Sequence, residues 1–380
     1  MLAMLCCVPL TTQPDVVSIE KPVGGTYRPK RSFALAFPTE GDMDVPGKQL
    51  LDGSMFCTVK LQYQREKVKK DFSFAGSSTQ VDDGGIAKLR KITERANFII
   101  GETGMNFCLQ SFSDEVLSSK IHLFPIDGSS PVRALNNKNA IFFRPTYQQE
   151  LRALVDYIVG VRRQSKIAIL YESGGWGSAL YEELLAILAK RNIMPLKASR
   201  YAQNSVNVSR AVKDIVGVAP NVVFCLAKPR PAYMFIGRAV AQGMDTALFV
   251  GLSPTLSIQY PLKKSRGIDL ITTSVVPSES SNLELVAAYK EFFGDRITGM
   301  RSNPFYLESF LYMKLLSEAL DVVPAAATHP AALIQHFESF KDKMFMGLPL
   351  SFDPVTRSLA TKLWIVPGVE KPWIEVALKQ

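Results

Sequence analysis

From Ser32 onward the chain alternates short apolar runs with amphipathic stretches of helical length, and after Pro145 the rhythm starts again. Short apolar runs bounded by Gly, Pro or Asn read as buried strands. The first set places strands at 32–37, 71–75, 97–101, 121–124 and 140–143, with helices over 47–64 and 86–95. The second opens with a helix over 149–163, whose Leu151, Leu154, Val155, Ile158 and Val159 share one face. Strands follow at 166–171, 196–201, 221–226, 247–250 and 269–276. Between them run helices over 178–191, ended by Asn192, over 207–217, and over 231–243, stopped by Gly243. Strands alternating with helices imply parallel sheets covered on both faces, so two sets predict two similar α/β lobes. Beyond them the pattern gives helices over 283–293, 306–320 and 330–340, then short strands at 348–353, 359–366 and 373–377. No change of composition separates the lobes, so the chain is expected to cross between them more than once.

Composition narrows the function classes. At 47% apolar and 21% charged residues in 380, this is neither a disordered tail, a collagen nor a small disulfide scaffold. The net charge of +9 raises the question of nucleic acid. Its densest clusters are short: Lys67, Lys69 and Lys70; Arg162 and Arg163; Lys263, Lys264 and Arg266. They sit beside apolar helices or in turns, with no aromatic RNA-binding strand, zinc-finger spacing or helix-turn-helix, so no nucleic-acid partner is expected. Cys6, Cys7, Cys57, Cys108 and Cys225 include no C-x-x-C pair, which argues against structural zinc and a thioredoxin motif. Cys225, inside the run 221–226, reads as a small buried hydrophobe. The apolar start, 1–10, is shorter than the ~20 residues of a membrane span. It reads as the remnant of a secretory signal, with a lipid anchor at Cys6 or Cys7 left open; residues 1–30 are treated as leader or tether.

Catalytic signals are sparse. His122, His329 and His336 are the histidines, and no H-E-x-x-H, G-x-S-x-G or Walker sequence is present. The Gly-rich segment 171–178 follows a strand and opens a helix, like a phosphate loop, but lacks the G-x-G-x-x-G spacing. It suits a ligand crevice, since α/β sheets bind beyond the carboxyl ends of their strands. The loops 101–106, 125–131, 227–232 and 251–254 also fall at strand carboxyl ends. Their glycines and hydroxyls fit capture of a carboxylate or other polar group, and equally fit ordinary turns.

Taken in order, these features resemble the type I periplasmic binding proteins, specifically the leucine/isoleucine/valine-binding receptors of ABC transporters. The resemblance covers roughly 32–377. It rests on Ile99-Ile-Gly101, Phe124-Pro125 with Ser129-Ser-Pro131, Phe143-Arg-Pro145, 166–171 with Trp176-Gly177, Pro220-Asn-Val-Val-Phe224, Phe249-Val-Gly251 and 346–354. It implies two doubly wound, Rossmann-like lobes with a ligand cleft between them and three hinge crossovers, near Pro145, Pro277 and Gly347. Lobe 1 would be 31–144 plus 277–346, and lobe 2 would be 145–276 plus 347–380. In that family first-lobe hydroxyl and backbone donors hold an α-carboxylate. Ser129 and Ser130, with Asp127 and Gly128 beside them, stand at one such position and Met105 and Asn106 at the other. Trp176 stands where an aromatic packs on the ligand, in the loop that Tyr171 opens.

Two departures bear on the ligand. Ser253 stands where the family's acid for the ligand ammonium should follow Gly251, and Lys228, with Arg230 nearby, where an aromatic is usual. An ammonium buried without its partner costs several kcal/mol, so an anionic or carboxylate ligand is expected in place of a standard branched-chain amino acid. Asp127 or Glu102 would be the partners able to hold an ammonium instead. The resemblance thus implies a monomeric solute-binding protein of an ABC importer, in the periplasm or on the outer face of the envelope. It would bind a small amino-acid-like or carboxylate ligand and a permease, with no catalysis, metal or cofactor. The alternatives are a ligand-sensing ectodomain of the same fold and a doubly wound α/β enzyme. Cys57 and Cys108 would cover opposite faces of a sheet and stay unpaired.

Overall fold

A computed structural model describes residues 17–18, 31–37, 72–78, 83–94, 96–294, 304–323 and 329–378. The helix expected over 47–64, and Cys6, Cys7 and Cys57, lie outside the described residues.

A first sheet is built from β1 (Val17–Ser18), β2 (Arg31–Phe37), β3 (Phe72–Ser78), β4 (Phe98–Ile100), β5 (Ile121–Leu123) and β6 (Ala140–Ile141), in the order β1-β3-β2-β4-β5-β6. All pairs are parallel except β1 with β3, where Val17 faces Gly76. The sheet therefore reaches into the segment set aside as leader. Helices α1 (Asp83–Ile92), α2 (Met105–Ser113) and α3 (Ser130–Ala134) connect its strands.

The second sheet takes β7 (Ile167–Glu172), β8 (Lys197–Tyr201), β9 (Val222–Leu226), β10 (Leu248–Gly251) and β11 (Leu270–Ser274), all parallel. Helices α4 (Tyr147–Val155), α5 (Gly175–Ala189), α6 (Ser209–Val216), α7 (Pro229–Val240) and α8 (Gln259–Arg266) accompany them. Alternation along the strands sorts the core. Ile167 and Ile169 of β7, with Val222 and Phe224 of β9, pack under α4 and α5. Ala168, Leu170, Val223 and Cys225 face α6, α7 and α8. A strand apolar at every position is what a sheet covered on both sides requires.

The remaining elements are α9 (Glu284–Phe293), α10 (Pro304–Val322), α11 (Ala331–Glu338), β12 (Lys343–Phe345), β13 (Leu348–Asp353), β14 (Ser358–Ala360), β15 (Lys362–Val366) and β16 (Ile374–Ala377). Helices α9 to α11 pack on the first sheet. Strands β12 to β14 form a three-stranded antiparallel sheet, while β15 and β16 extend the second sheet antiparallel from β11.

The chain passes between the two cores three times. Phe143 lies in the first core and Tyr147 in the second; Ile271 lies in the second and Val275 in the first. Around the third passage, expected near Gly347, Leu348, Leu350, Leu359, Ala360 and Trp364 pack in the first core and Leu363 and Ile365 in the second, so the two sheets meet along 361–365. The apolar run 359–366 is thus two strands in two sheets, because the first half is bonded to the segment after β6: Leu359 N donates to Phe142 O and Ala360 N to Phe143 O.

Candidate ligand cleft

The loop after β4 and the loop after β7 bring two helix starts together. Gly104 turns at φ +90°, a conformation that favours glycine, and aims Met105 into the seam. Met105 is buried, and a Cβ placed on Gly175 would lie 2.6 Å from its Cε. Asn106, exposed beside it, has its Oδ1 3.8 Å from the same point. Trp176 then packs against both sides. It covers the cluster of Met105, Cys108, Phe112, Val132 and Phe142, touches the second core, and meets Tyr147 edge-on at 6.1 Å.

The loop after β5 forms the next wall. Asp127 is fully buried, and its Oδ1 accepts from Ser129 N at 2.8 Å and from the Ser129 hydroxyl. Burial pushes the Asp127 carboxyl up, against the Ser129 hydrogen bonds and the positive charges of Arg133 and Arg144. Gly128 lets this loop press on the start of α4: its O accepts from Tyr147 N at 2.7 Å, and a Cβ there would sit 2.8 Å from that nitrogen. Ser130 reaches across the cleft, its hydroxyl donating to Glu183 Oε1 of α5 at 2.5 Å. Burial pushes the Glu183 carboxyl up as well, opposed by Ser130 and Arg152 and reinforced by Asp127.

Three expected residues are engaged apart from this cluster. Tyr171 stacks on Tyr181, with ring centroids 4.4 Å apart. Lys228 Nζ lies 3.4 Å from Glu172 Oε1 and 3.2 Å from Asn204 Oδ1. Ser253 donates through N and Oγ to the two oxygens of Glu150, each at 2.9 Å, and accepts from Arg144 Nη1 at 3.0 Å. Arg144 in turn holds both oxygens of Glu308, at 2.6 and 2.7 Å. Glu102 is spent too: it accepts from the Ser111 hydroxyl and bonds His122 Nδ1 at 2.7 Å, while His122 Nε2 donates to Leu117 O. The carboxylate thus stands between hydroxyl and imidazole, so His122 is not placed to take a proton from Ser111, as nucleophilic catalysis requires.

Glu183 was not anticipated, although the sequence carries a sign of it. Trp176, Leu180, Glu183 and Ile187 fall on one helical stripe, and a lone carboxylate interrupts an otherwise apolar face. No group of three or more His, Cys, Asp or Glu side chains among the described residues is arranged to hold a metal ion. A separate open depression of ≈ 630 Å³, lined by Arg162, Gln164, Asn221, Gln242 and Met244, lies at the amino ends of β9 and β10, away from this cleft.

With this geometry in view, comparison with known proteins is informative. The family model described as periplasmic binding protein matches residues 85–371. The Leu/Ile/Val-binding protein homolog 7 of Brucella abortus (strain 2308) is 26% identical over 204 residues, 50% of this chain and 49% of that protein. The chain therefore spans about half the length of the curated relatives it matches. Among solved structures, an ABC transporter solute binding protein of R. palustris in complex with benzoate superimposes with a TM-score of 0.77 at 14% identity, covering 92% of this chain and 96% of that one. The branched-chain amino acid transporter substrate binding protein LivJ of Streptococcus pneumoniae, in complex with isoleucine, gives 0.74 at 10% identity, covering 92% and 99%. At such identities the likeness is one of fold: two α/β lobes around a cleft.

Proposed function

The chain belongs to the periplasmic binding protein family, and from that premise we propose that it is an extracytoplasmic solute receptor of an ABC importer. It takes a small amino-acid-like or carboxylate ligand between its lobes by hinge closure and hands it to a permease. We take 31–144 with 277–360 as one lobe and 145–276 with 361–380 as the other, following the passages of the chain between the cores. The observation that carries this reading is the seam itself: Trp176 of one lobe covers Met105 of the other, and Ser130 bonds Glu183 across the gap. Met105, Asn106, Asp127, Gly128, Ser129, Ser130 and Trp176 are the residues proposed to line the ligand. The ligands held by the two structural neighbours, benzoate and isoleucine, support the class.

The test is a thermal-shift screen of the full chain against amino acids, aliphatic and aromatic carboxylates, and small amides. A ligand at a hundred times its dissociation constant stabilises the native state by ~2.7 kcal/mol, which a melting curve resolves. A hit that disappears in Trp176→Ala is expected. Silence across the panel would overturn the proposed ligand class.

A further inference from the structure

The amino ends of β7, β8, β9 and β10 form a continuous face, at the opposite end of these parallel strands from the cleft loop 171–178. Backbone bonds lace it together: Leu196 N donates to Ile167 O at 2.7 Å, Asn221 N to Lys166 O at 2.9 Å, and Leu248 N to Asn221 O at 2.8 Å. Two connections build its outer part. One is 156–166, which leads from the π-helical turn Asp156–Val161 into β7; the other is 190–197, which leads from α5 into β8. They carry six cations, Arg162, Arg163, Lys166, Lys190, Arg191 and Lys197, all exposed. The one carboxylate in these connections, Asp156, is paired with Arg191.

Among the cations stand apolar side chains left in water: Met194 is 88% exposed, Val161 68% and Leu196 46%. Cations near the carboxyl end of a helix offset its dipole, which accounts for Lys190 and Arg191 at the end of α5. That account gives no reason for the three exposed apolar residues. Apolar side chains gathered on one exposed face with Lys and Arg are the makeup of surfaces that meet a membrane. The depression of ≈ 630 Å³ opens on the same face, with Arg162 and Gln164 on its wall, and gives it a hollow for a polar headgroup.

We propose that this face docks on a bilayer surface rich in anionic phospholipid. The cations meet the lipid phosphates, and Val161, Met194 and Leu196 enter the boundary between headgroups and acyl chains. A protein standing on this face keeps the loop after β7, and with it the cleft, turned away from the lipid. The contact is made by the surface of one lobe and does not require the cleft to hold a ligand.

The experiment mixes the full chain with vesicles of phosphatidylcholine alone, and of phosphatidylcholine and phosphatidylglycerol in equal parts, and reads bound protein by sedimentation. Binding is expected to the mixed vesicles only, and is expected to weaken as salt rises, because salt screens exposed charges. A cation near such a surface is worth about a fivefold change in affinity. Lys166→Gln, Lys190→Gln and Lys197→Gln together should therefore weaken binding about a hundredfold. The matched triple Lys88→Gln, Lys91→Gln and Lys138→Gln removes the same charge from exposed positions of the other lobe and should change it little. Met194→Ser, which touches no charge, should weaken binding at low and high salt alike. Equal losses from the two triples would reduce the effect to net charge and overturn the proposal. Unchanged binding by Met194→Ser, or equal binding to phosphatidylcholine alone, would overturn it as well. Binding to heparin with none to either vesicle would make the face a site for a soluble polyanion, and that too overturns it.

Discussion

At the crossing after β6, Arg144 donates to both oxygens of Glu308 and to Ser253, and Glu150 is filled by Ser253 and Thr273. At the lips of the cleft, Asp127 and Glu183 each keep one oxygen without a partner. Both groups hold buried carboxylate oxygens, and Asp127 of one and Arg144 of the other lie on neighbouring segments of the chain. One is closed electrically: burial opposes the Arg144 charge, yet Glu308 more than offsets this and holds its pKa above the ordinary value. The other is open. The first network is complete in its own hydrogen bonds, and the second is not. Charge count alone does not separate the two, whereas partner count does.

The largest effect should come from breaking the closed network. Arg144→Met leaves Glu308 and Glu150 buried without their cation, and removing one partner of such a pair costs ~3–5 kcal/mol. Urea unfolding monitored by fluorescence should show it as a lower midpoint. If the midpoint stays put, the two networks are not different in kind.

A smaller effect separates them by pH. Asp127 and Glu183 have folded pKa values above their unfolded ones, so the native state holds their protons longer than the unfolded chain does. Their contribution is therefore present at low pH and lost as pH rises from the ordinary carboxylate range through the raised values. Asp114 and Asp269 carry the opposite sign: burial opposes their charge, but Arg90 for the first and Lys371 with Lys263 for the second hold their carboxyls low. Asp127→Asn and Glu183→Gln should flatten the first slope and leave the second intact, read from urea midpoints across mildly acidic to neutral pH. The smallest expected change is Lys228→Met. Its ion pair is partly exposed, and such pairs contribute ~0–1 kcal/mol; a large loss would mean that Lys228 anchors the cleft after all.

How much of this was legible depended on how local the signal is. Strands β4, β9 and β10 stood out as apolar runs because burial on both faces leaves no polar position, while β5 carries one buried polar residue, His122, satisfied by Glu102 and Leu117 O. Helices α2 and α3 were given no bounds, and only their first residues fell within the loops 101–106 and 125–131: both are short, and Gly104, Ser129 and Pro131 look like turn residues although they start helices. The run 359–366 read as one strand because period-two apolar pattern does not say which sheet a residue joins. The loops at 101–106 and 125–131, Asp127 among them, were singled out from their place after strands, and the fold brings them beside the start of α5. The occupation of Lys228, Glu102 and Ser253 was not found, since Glu172, His122 and Glu150 reach them through tertiary packing. Glu183 needed the helical stripe to be read against a cleft not yet in view.

Thr361 has a mechanical meaning beyond topology. Its neighbours on one side are laddered into the three-stranded sheet and on the other into β11 and β16, while its own hydroxyl donates to Pro349 O and its carbonyl accepts from Leu378 N. One residue between two ladders leaves no slack, because an extended residue spans ~3.5 Å at most. Sliding the lobes apart would strip a ladder, but turning about this residue's own two dihedral angles would not. On this passage any relative movement of the two sheets that keeps both ladders is taken up at Thr361, within reach of the other two passages at 143–147 and 271–275.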